Sequence, residues 1–188
     1  MGNRLTKVYT RTGDRGSTGM ADGSRRRKND ARVCSMGDID ELNACLGISL
    51  SLLEDGPLQQ LLFAVQHDLF DIGAELCQPG KSLITDDYVE GLEKSADRFN
   101  AELSELKEFI LPGGSQAVAS LQHARTVCRR VERGLVSLGE VEDLNPATAR
   151  YINRLSDLLF ILARAQSRIE GGGEVYWNSK YSRLNRNG

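Results

Sequence analysis

Apolar residues return at alternating steps of three and four along most of this chain, and that rhythm leaves little choice of fold. An α-helix turns once in 3.6 residues, so such a series becomes one buried stripe. Leu121, Ala124, Cys128, Val131, Leu135 and Leu138 keep the rhythm over 115–138. Ile39, Leu42, Leu46, Leu50 and Leu53 keep it over 31–54, and Leu61, Leu62, Val65, Leu69 and Ile72 over 58–77. Val89, Leu92, Ala96 and Phe99 mark a third helix over 85–106, and Ile152, Leu155, Leu159, Leu162 and Ile169 a fifth over 146–169. Asp55-Gly56-Pro57, Pro112-Gly113-Gly114 and Gly171–Gly173 break the series, and Thr85 and Ser115 stand where helix caps belong. Aromatics make up only 6% against 40% hydrophobic residues, which suits a Leu/Ala-rich bundle better than a sandwich. The expected fold is all-α: an up-and-down five-helix bundle with a glycine-rich N-terminal arm. We read 1–188 as one domain, with the arm at 1–30, the bundle at 31–170 and a polar tail at 171–188.

The totals exclude some functions. A net charge of −2 exerts no general pull on nucleic acid or membrane. No apolar run approaches a membrane span, and the start has no signal-peptide core. Cys34, Cys45, Cys77 and Cys128 show no CxxC spacing, and with His67 and His123 as the only histidines a zinc site is not expected. A reducing cytoplasm is the simplest home.

Three features carry chemistry. On the fourth helix Arg125, Arg129 and Glu132 stack in one row, with Arg133 just off it. That row lies about 90–100° from the centre of the apolar stripe, at the border of the core. Arginines there need an anion. A salt-bridge network would serve, and spacing alone favours it. A phosphate clamp would also serve, because guanidinium forks match phosphate oxygens.

The second feature is the arm, LTKVYTRTGDRGSTGMADGSRRRKND. Its first residues read as a short extended piece. Gly13, Gly16, Gly19 and Gly23, set among Thr12, Ser17, Thr18 and Ser24, can turn sharply and aim N–H groups and hydroxyls at one point. It matches neither a Walker loop nor the dinucleotide fingerprint. By pattern alone it reads as a flexible arm. The run Arg25–Lys28 is normally solvated, but here it strengthens the case for a polyanion.

The third feature is a pair of secondary faces. Asp40, Asn43 and Gly47 line one side of the first helix, where a mid-helix glycine marks close approach of a neighbour. Asn153, Asp157, Phe160 and Arg164 align on the fifth helix, away from its core stripe. Such a mixed face suits a ligand or another subunit.

The blocks YTRTGDRGST, KND, GDIDELNACLG, FILPGGS, ARTVCRRVER and YINRLSDLLFILAR, in this order from Tyr9 to Arg164, together resemble the trimeric ATP:cob(I)alamin adenosyltransferases. The resemblance implies a homotrimer with active sites at subunit boundaries, binding ATP with Mg²⁺ and then cobalamin. It implies nucleotide contacts from Thr10, Arg11, Thr12, Gly13, Asp14, Thr18 and Lys28, and from Arg129, Arg130, Glu132, Arg133 and Asn153. It implies an inter-subunit ion pair of Asp40 with Arg125, and a role for Phe109 in blocking the lower axial face of the corrin. Glu132 is also the one candidate metal contact. A reductase and an adenosylcobalamin-dependent acceptor enzyme are the implied further partners. Two residues depart from the pattern: Met36 stands where an aromatic is expected, and Arg11 where lysine is frequent. The runner-up reading is an adenosylcobalamin chaperone or sensor on the same fold, and the bland one is a helical interaction protein.

Overall fold

The computed structural model describes residues 9–178. The part of the extended piece before Tyr9 and the tail beyond Asn178 lie outside the described residues.

Five helices follow in order: α1 (Ala31–Leu50), α2 (Pro57–Cys77), α3 (Asp86–Asn100), α4 (Gln116–Gly139) and α5 (Pro146–Ile169). Their main packing order is α2–α1–α4–α5–α3, so α4 is flanked by α1 and α5. All six residues of the α4 stripe are buried, as are Ile39, Leu42 and Leu46 of α1. Leu155, Leu159 and Leu162 of α5 meet them in the same core. Helix starts follow local chemistry. Asp30 accepts the Arg32 N–H, Ser115 accepts the Val118 N–H, and Asn145 accepts the Ala147 N–H. Thr85 occupies the cap position of α3, but its side chain makes no capping bond.

The structure shortens two of the expected helices. α1 stops at Leu50 rather than near residue 54. The Ser49 hydroxyl bonds back to the Cys45 carbonyl and the Ser51 hydroxyl to that of Ile48, which competes with the helix at its end. α3 stops at Asn100 rather than near residue 106, and the Ser104 carbonyl beyond it accepts from Arg164 at 2.7 Å. Ile169, placed in the α5 core stripe by periodicity, is exposed at the helix end.

One buried carboxylate ties three elements. Glu75 on α2 accepts from the N–H groups of Leu83 and Ile84, at 2.7 and 3.1 Å, from Asn145 Nδ2 at 2.9 Å, and from the Thr148 hydroxyl. It thereby fixes the α2–α3 loop against the start of α5. Tyr151 Oη donates to Asp68 at 2.7 Å and closes α5 onto α2.

The described part of the arm is docked on the bundle. Ser17–Gly19 (β1) pairs antiparallel with Arg25–Arg27 (β2) in a small hairpin. Met20 is buried, and the Ala21 N–H donates to the Cys77 carbonyl at 2.9 Å. Arg26 reaches the Glu142 carboxylate between α4 and α5, and Arg32 reaches the same carboxylate at 2.8 Å. The hairpin is thus docked onto the bundle end, which corrects the expectation of a flexible arm.

Candidate functional site

The loop that leads into β1 folds around cations. Arg25 gathers the Thr12 carbonyl at 2.8 Å and the Ser17 hydroxyl at 2.7 Å. Lys28 sits beside Gly13: a Cβ there would lie 3.3 Å from the lysine Cε and Nζ. Its backbone N–H donates to the Gly16 carbonyl at 2.9 Å. Gly16 and Gly23 adopt φ of +79° and +85°, where a side chain is strained. Arg11 also takes a positive φ of 62°, with its guanidinium 5.7 Å from the Tyr9 ring centroid. Thr10 and Thr12 share a hydroxyl hydrogen bond of 2.8 Å. Asp14 is exposed, and Thr18 lies in β1, paired with Arg26. Of the four basic residues at 25–28, Arg26 is committed to Glu142, and Lys28 is presented at the glycine turn.

The Glu142 anchor has a pH signature. The hydrogen bond from Arg26 chiefly holds its carboxyl below the ordinary glutamate range, against the opposing effect of burial and with further help from Arg32. A depressed carboxyl stabilises the fold above its unfolded pKa, and that stabilisation is lost as pH falls through the folded value. Wild type is therefore expected to melt higher than Glu142→Gln near neutral pH, with the difference shrinking as pH falls below the ordinary glutamate range. A constant difference across a thermal-melt series would contradict the anchor.

On α4 the arginine row divides. Arg125 is half-buried, donates to Gln122 Oε1 at 2.8 Å and lies 5.9 Å from the Phe160 ring centroid. No carboxylate among the described residues pairs with it. Burial, then the charge of Arg129, depress its pKa. Arg129 is exposed and its guanidinium has no hydrogen-bond partner among the described residues, while Arg133 folds back onto the Arg129 carbonyl at 2.9 Å. Glu132 accepts from Asn153 Nδ2 at 2.7 Å, so the two polar residues assigned to the nucleotide do meet. Arg130 points elsewhere. It bridges to Asp38 at 2.6 Å and to Glu41, staple-like between α4 and α1. The close approach at Gly134, where a Cβ would stand 3.2 Å from Asp38 Oδ2, shows how near these helices come.

Phe109 stands in the segment between α3 and α4 with 78% of its surface exposed. Together with Leu106, Ile110, Gln122, Arg125 and Phe160 it lines a cleft of about 510 Å³. An aromatic and an arginine far apart in the chain thus share one cavity. Asp40 lies on a different cleft, with Gly47, Phe63, His67 and Phe70, between α1 and α2. Asp40 and Arg125 do not meet within one chain. Arg164, expected on a ligand-facing surface, is instead buried and paired with Glu174.

The family model for cobalamin adenosyltransferase matches residues 8–166. The chain belongs to the cobalamin adenosyltransferase family. The chain is 52% identical over 180 residues to a cobalamin adenosyltransferase of Cupriavidus metallidurans, covering 94% of this chain and 97% of the relative. It is 43% identical to a corrinoid adenosyltransferase of Bacillus subtilis, over 90% of this chain and 91% of that one. Among solved structures it resembles a phenylalanine-to-alanine variant of the PduO-type ATP:corrinoid adenosyltransferase from Lactobacillus reuteri, complexed with cobalamin and ATP. That match has a TM-score of 0.86 at 35% identity and covers 92% of this chain and 99% of the other. An arginine-to-lysine variant of the same enzyme, complexed with ATP, matches equally at a TM-score of 0.86 and 35% identity, covering 91% of this chain and all of that one.

Seen as an adenosyltransferase, the chain holds residues that sequence reasoning did not single out. Glu142 anchors the hairpin, and Glu174 receives Arg164. The partner of Glu142 stands far off in the chain, and that of Glu174 across a glycine turn. No periodicity could have marked them.

Proposed function

We propose that this chain transfers the 5′-deoxyadenosyl group of ATP to cob(I)alamin, making adenosylcobalamin and releasing triphosphate. The observation that carries the reading is the cationic set of Arg125, Arg129 and Arg133, without a carboxylate partner among the described residues, with Arg125 lining the cleft under Phe109. The cobalt of cob(I)alamin is itself the nucleophile: its electron pair forms the bond to C5′, and the C5′–O bond breaks toward triphosphate. The protein therefore needs no side-chain nucleophile. Its task is to hold the leaving polyphosphate and neutralise it. Arg129, Arg133 and Lys28 would supply positive charge, and the N–H groups and hydroxyls from Thr10 to Thr18 a cradle. Asp14 would stay at the solvent rim of that cradle. Arg130, committed to Asp38 and Glu41, would act by fixing α4 on α1 rather than by touching phosphate. Asn153 would hold Glu132 in place.

A Mg²⁺ ion would ride on the triphosphate oxygens, which is how magnesium usually reaches a nucleotide site. No group of three or more His, Cys, Asp or Glu among the described residues forms a cage for it. Glu132, between Arg129 and Arg133 on α4, would be the carboxylate to contact such an ion. Incubation with ATP, Mg²⁺ and reduced cobalamin should give the absorption change of a new Co–C bond. Binding of adenosylcobalamin without that change would favour the chaperone reading instead.

The assembly follows from what one chain leaves open. Ile48, Phe63 and Phe70 are exposed on α1 and α2, and the buried Asn43 Oδ1 lacks a hydrogen-bond partner. Such a patch on a small domain calls for a partner surface. A homotrimer would cover it and bring Asp40 of one copy to Arg125 of the next. Asp40→Arg is expected to weaken assembly by about 2 kcal/mol or more, and a second change, Arg125→Asp, to restore it. Native mass spectrometry reads both results; an unchanged trimer in the single variant would refute the pair. No described helix is long and apolar enough to cross a membrane. A cytoplasmic location, a reductase that supplies the electrons and an enzyme that receives the product complete the proposal.

A further inference from the structure

The segment that carries Phe109 is hydrogen-bonded to the tail on both sides of the ring. The Trp177 N–H donates to the Phe109 carbonyl at 2.7 Å, and the Leu111 N–H donates to the Val175 carbonyl at 2.8 Å. Ile110 and Tyr176 form the antiparallel bridge between them. The C-terminal tail thus adds a short strand to the backbone on both sides of Phe109. Among the described residues, an ion pair anchors the start of the tail to α5. Arg164, its side chain 3% exposed, donates through Nε to one oxygen of Glu174 and through Nη2 to the other at 3.5 Å. The same Nη2 binds the Ser104 carbonyl at 2.7 Å. One buried guanidinium therefore fixes both neighbours of the Phe109 segment: the stretch that enters it from α3 and the tail strand paired to it.

We propose that Arg164 and Glu174 are positioning residues for Phe109, setting where its ring stands against the corrin through the tail strand. This rests on the reading of Phe109 as the group that displaces the lower axial ligand. The physical reason is economy of motion. Phe109 is mostly exposed in its own chain, so side-chain packing does not fix it; its backbone must. Two hydrogen bonds to an edge strand supply that restraint only while the strand is anchored. A buried ion pair is a discrete anchor, since an arginine left unpaired in the interior is strongly disfavoured.

Three variants test this: Arg164→Met and Glu174→Gln at the anchor, and Trp177→Pro. The last removes the N–H that bonds Phe109 and leaves the core untouched, so it serves where Arg164→Met fails to fold. Each should speed hydrogen exchange at the Leu111 amide, with the α4 amides unchanged. Each should also lower the fraction of cob(II)alamin that becomes four-coordinate with ATP bound, read by electron paramagnetic resonance. The turnover number should fall by up to about a hundredfold with the ATP KM held within about twofold, as expected when a reacting group is misplaced and binding is not. Phe109→Ala is measured alongside. If it keeps the four-coordinate signal, the reading of Phe109 fails. If it loses the signal while all three tail variants keep it, the positioning role is overturned.

Discussion

Phe109→Ala is expected to leave ATP binding intact and to lose most adenosylation that starts from cob(II)alamin. The cobalt(II) centre is hard to reduce while its lower axial ligand stays bound, because that ligand raises the energy of the orbital that must accept the electron. Removing the ligand eases reduction, and an apolar ring placed under the corrin keeps both the ligand and water away. Phe109 is suited to this by where it stands. It lies at the mouth of the cleft with Arg125 and Phe160, and its backbone is tied down by Trp177. It makes no contribution to the buried core, so its loss should not unfold the protein. The expected fall in turnover is on the order of a hundredfold, equivalent to roughly 120 mV for a one-electron step. With cobalamin supplied already reduced to cob(I), the variant should recover most of its rate. Near-normal turnover from cob(II)alamin under limiting reductant would remove Phe109 from the mechanism.

Arg129→Ala should produce the largest loss of ATP affinity. Its guanidinium is exposed and has no hydrogen-bond partner among the described residues, whereas Arg130 beside it is spent on Asp38 and Glu41. Hydrogen bonds to charged groups contribute about 1.5–3 kcal/mol each, and a fork that makes two of them loses on the order of 3 kcal/mol, more than a hundredfold in affinity. Arg129→Lys keeps the charge without the planar fork and should fall between. Arg130→Ala provides the contrast. It should cost stability, through Asp38 and Glu41, and change ATP affinity little. Calorimetric titration with ATP decides the matter: equal affinity in wild type and Arg129→Ala would contradict the clamp, and a larger loss in Arg130→Ala would reverse the two roles.

The contrast between Arg129 and Arg130 shows where sequence reading stops. A helical wheel gives the direction of each side chain relative to its own apolar stripe, and the α4 stripe is buried residue for residue. It says nothing about which neighbour waits in that direction. Arg130 finds α1 there, 92 positions away from its Asp38 partner, and Arg129 finds solvent. Arg164 was legible as part of a mixed face with Asn153, Asp157 and Phe160, but its partner Glu174 lies past a glycine turn whose shape no periodicity encodes. The arm gave the same lesson. Its glycines and hydroxyls were visible, but the pairing of β1 with β2 follows no simple alternation, and the anchor on Glu142 joins residues more than a hundred positions apart.

The order and approximate span of five helices, their buried stripes and most of their caps were set by the sequence alone, because each depends on residues within a turn or two. So were the residue types that suit a polyphosphate. The tertiary structure decided the rest: the hairpin docked on the bundle end, the two helices cut short, Arg130 drawn to α1, and Phe109 held at the Arg125 cleft by the tail. Those outcomes depend on charges and carbonyls that meet only after the helices pack. A long-range ion pair is specified by position in space, and the chain fixes that position only once the core has formed.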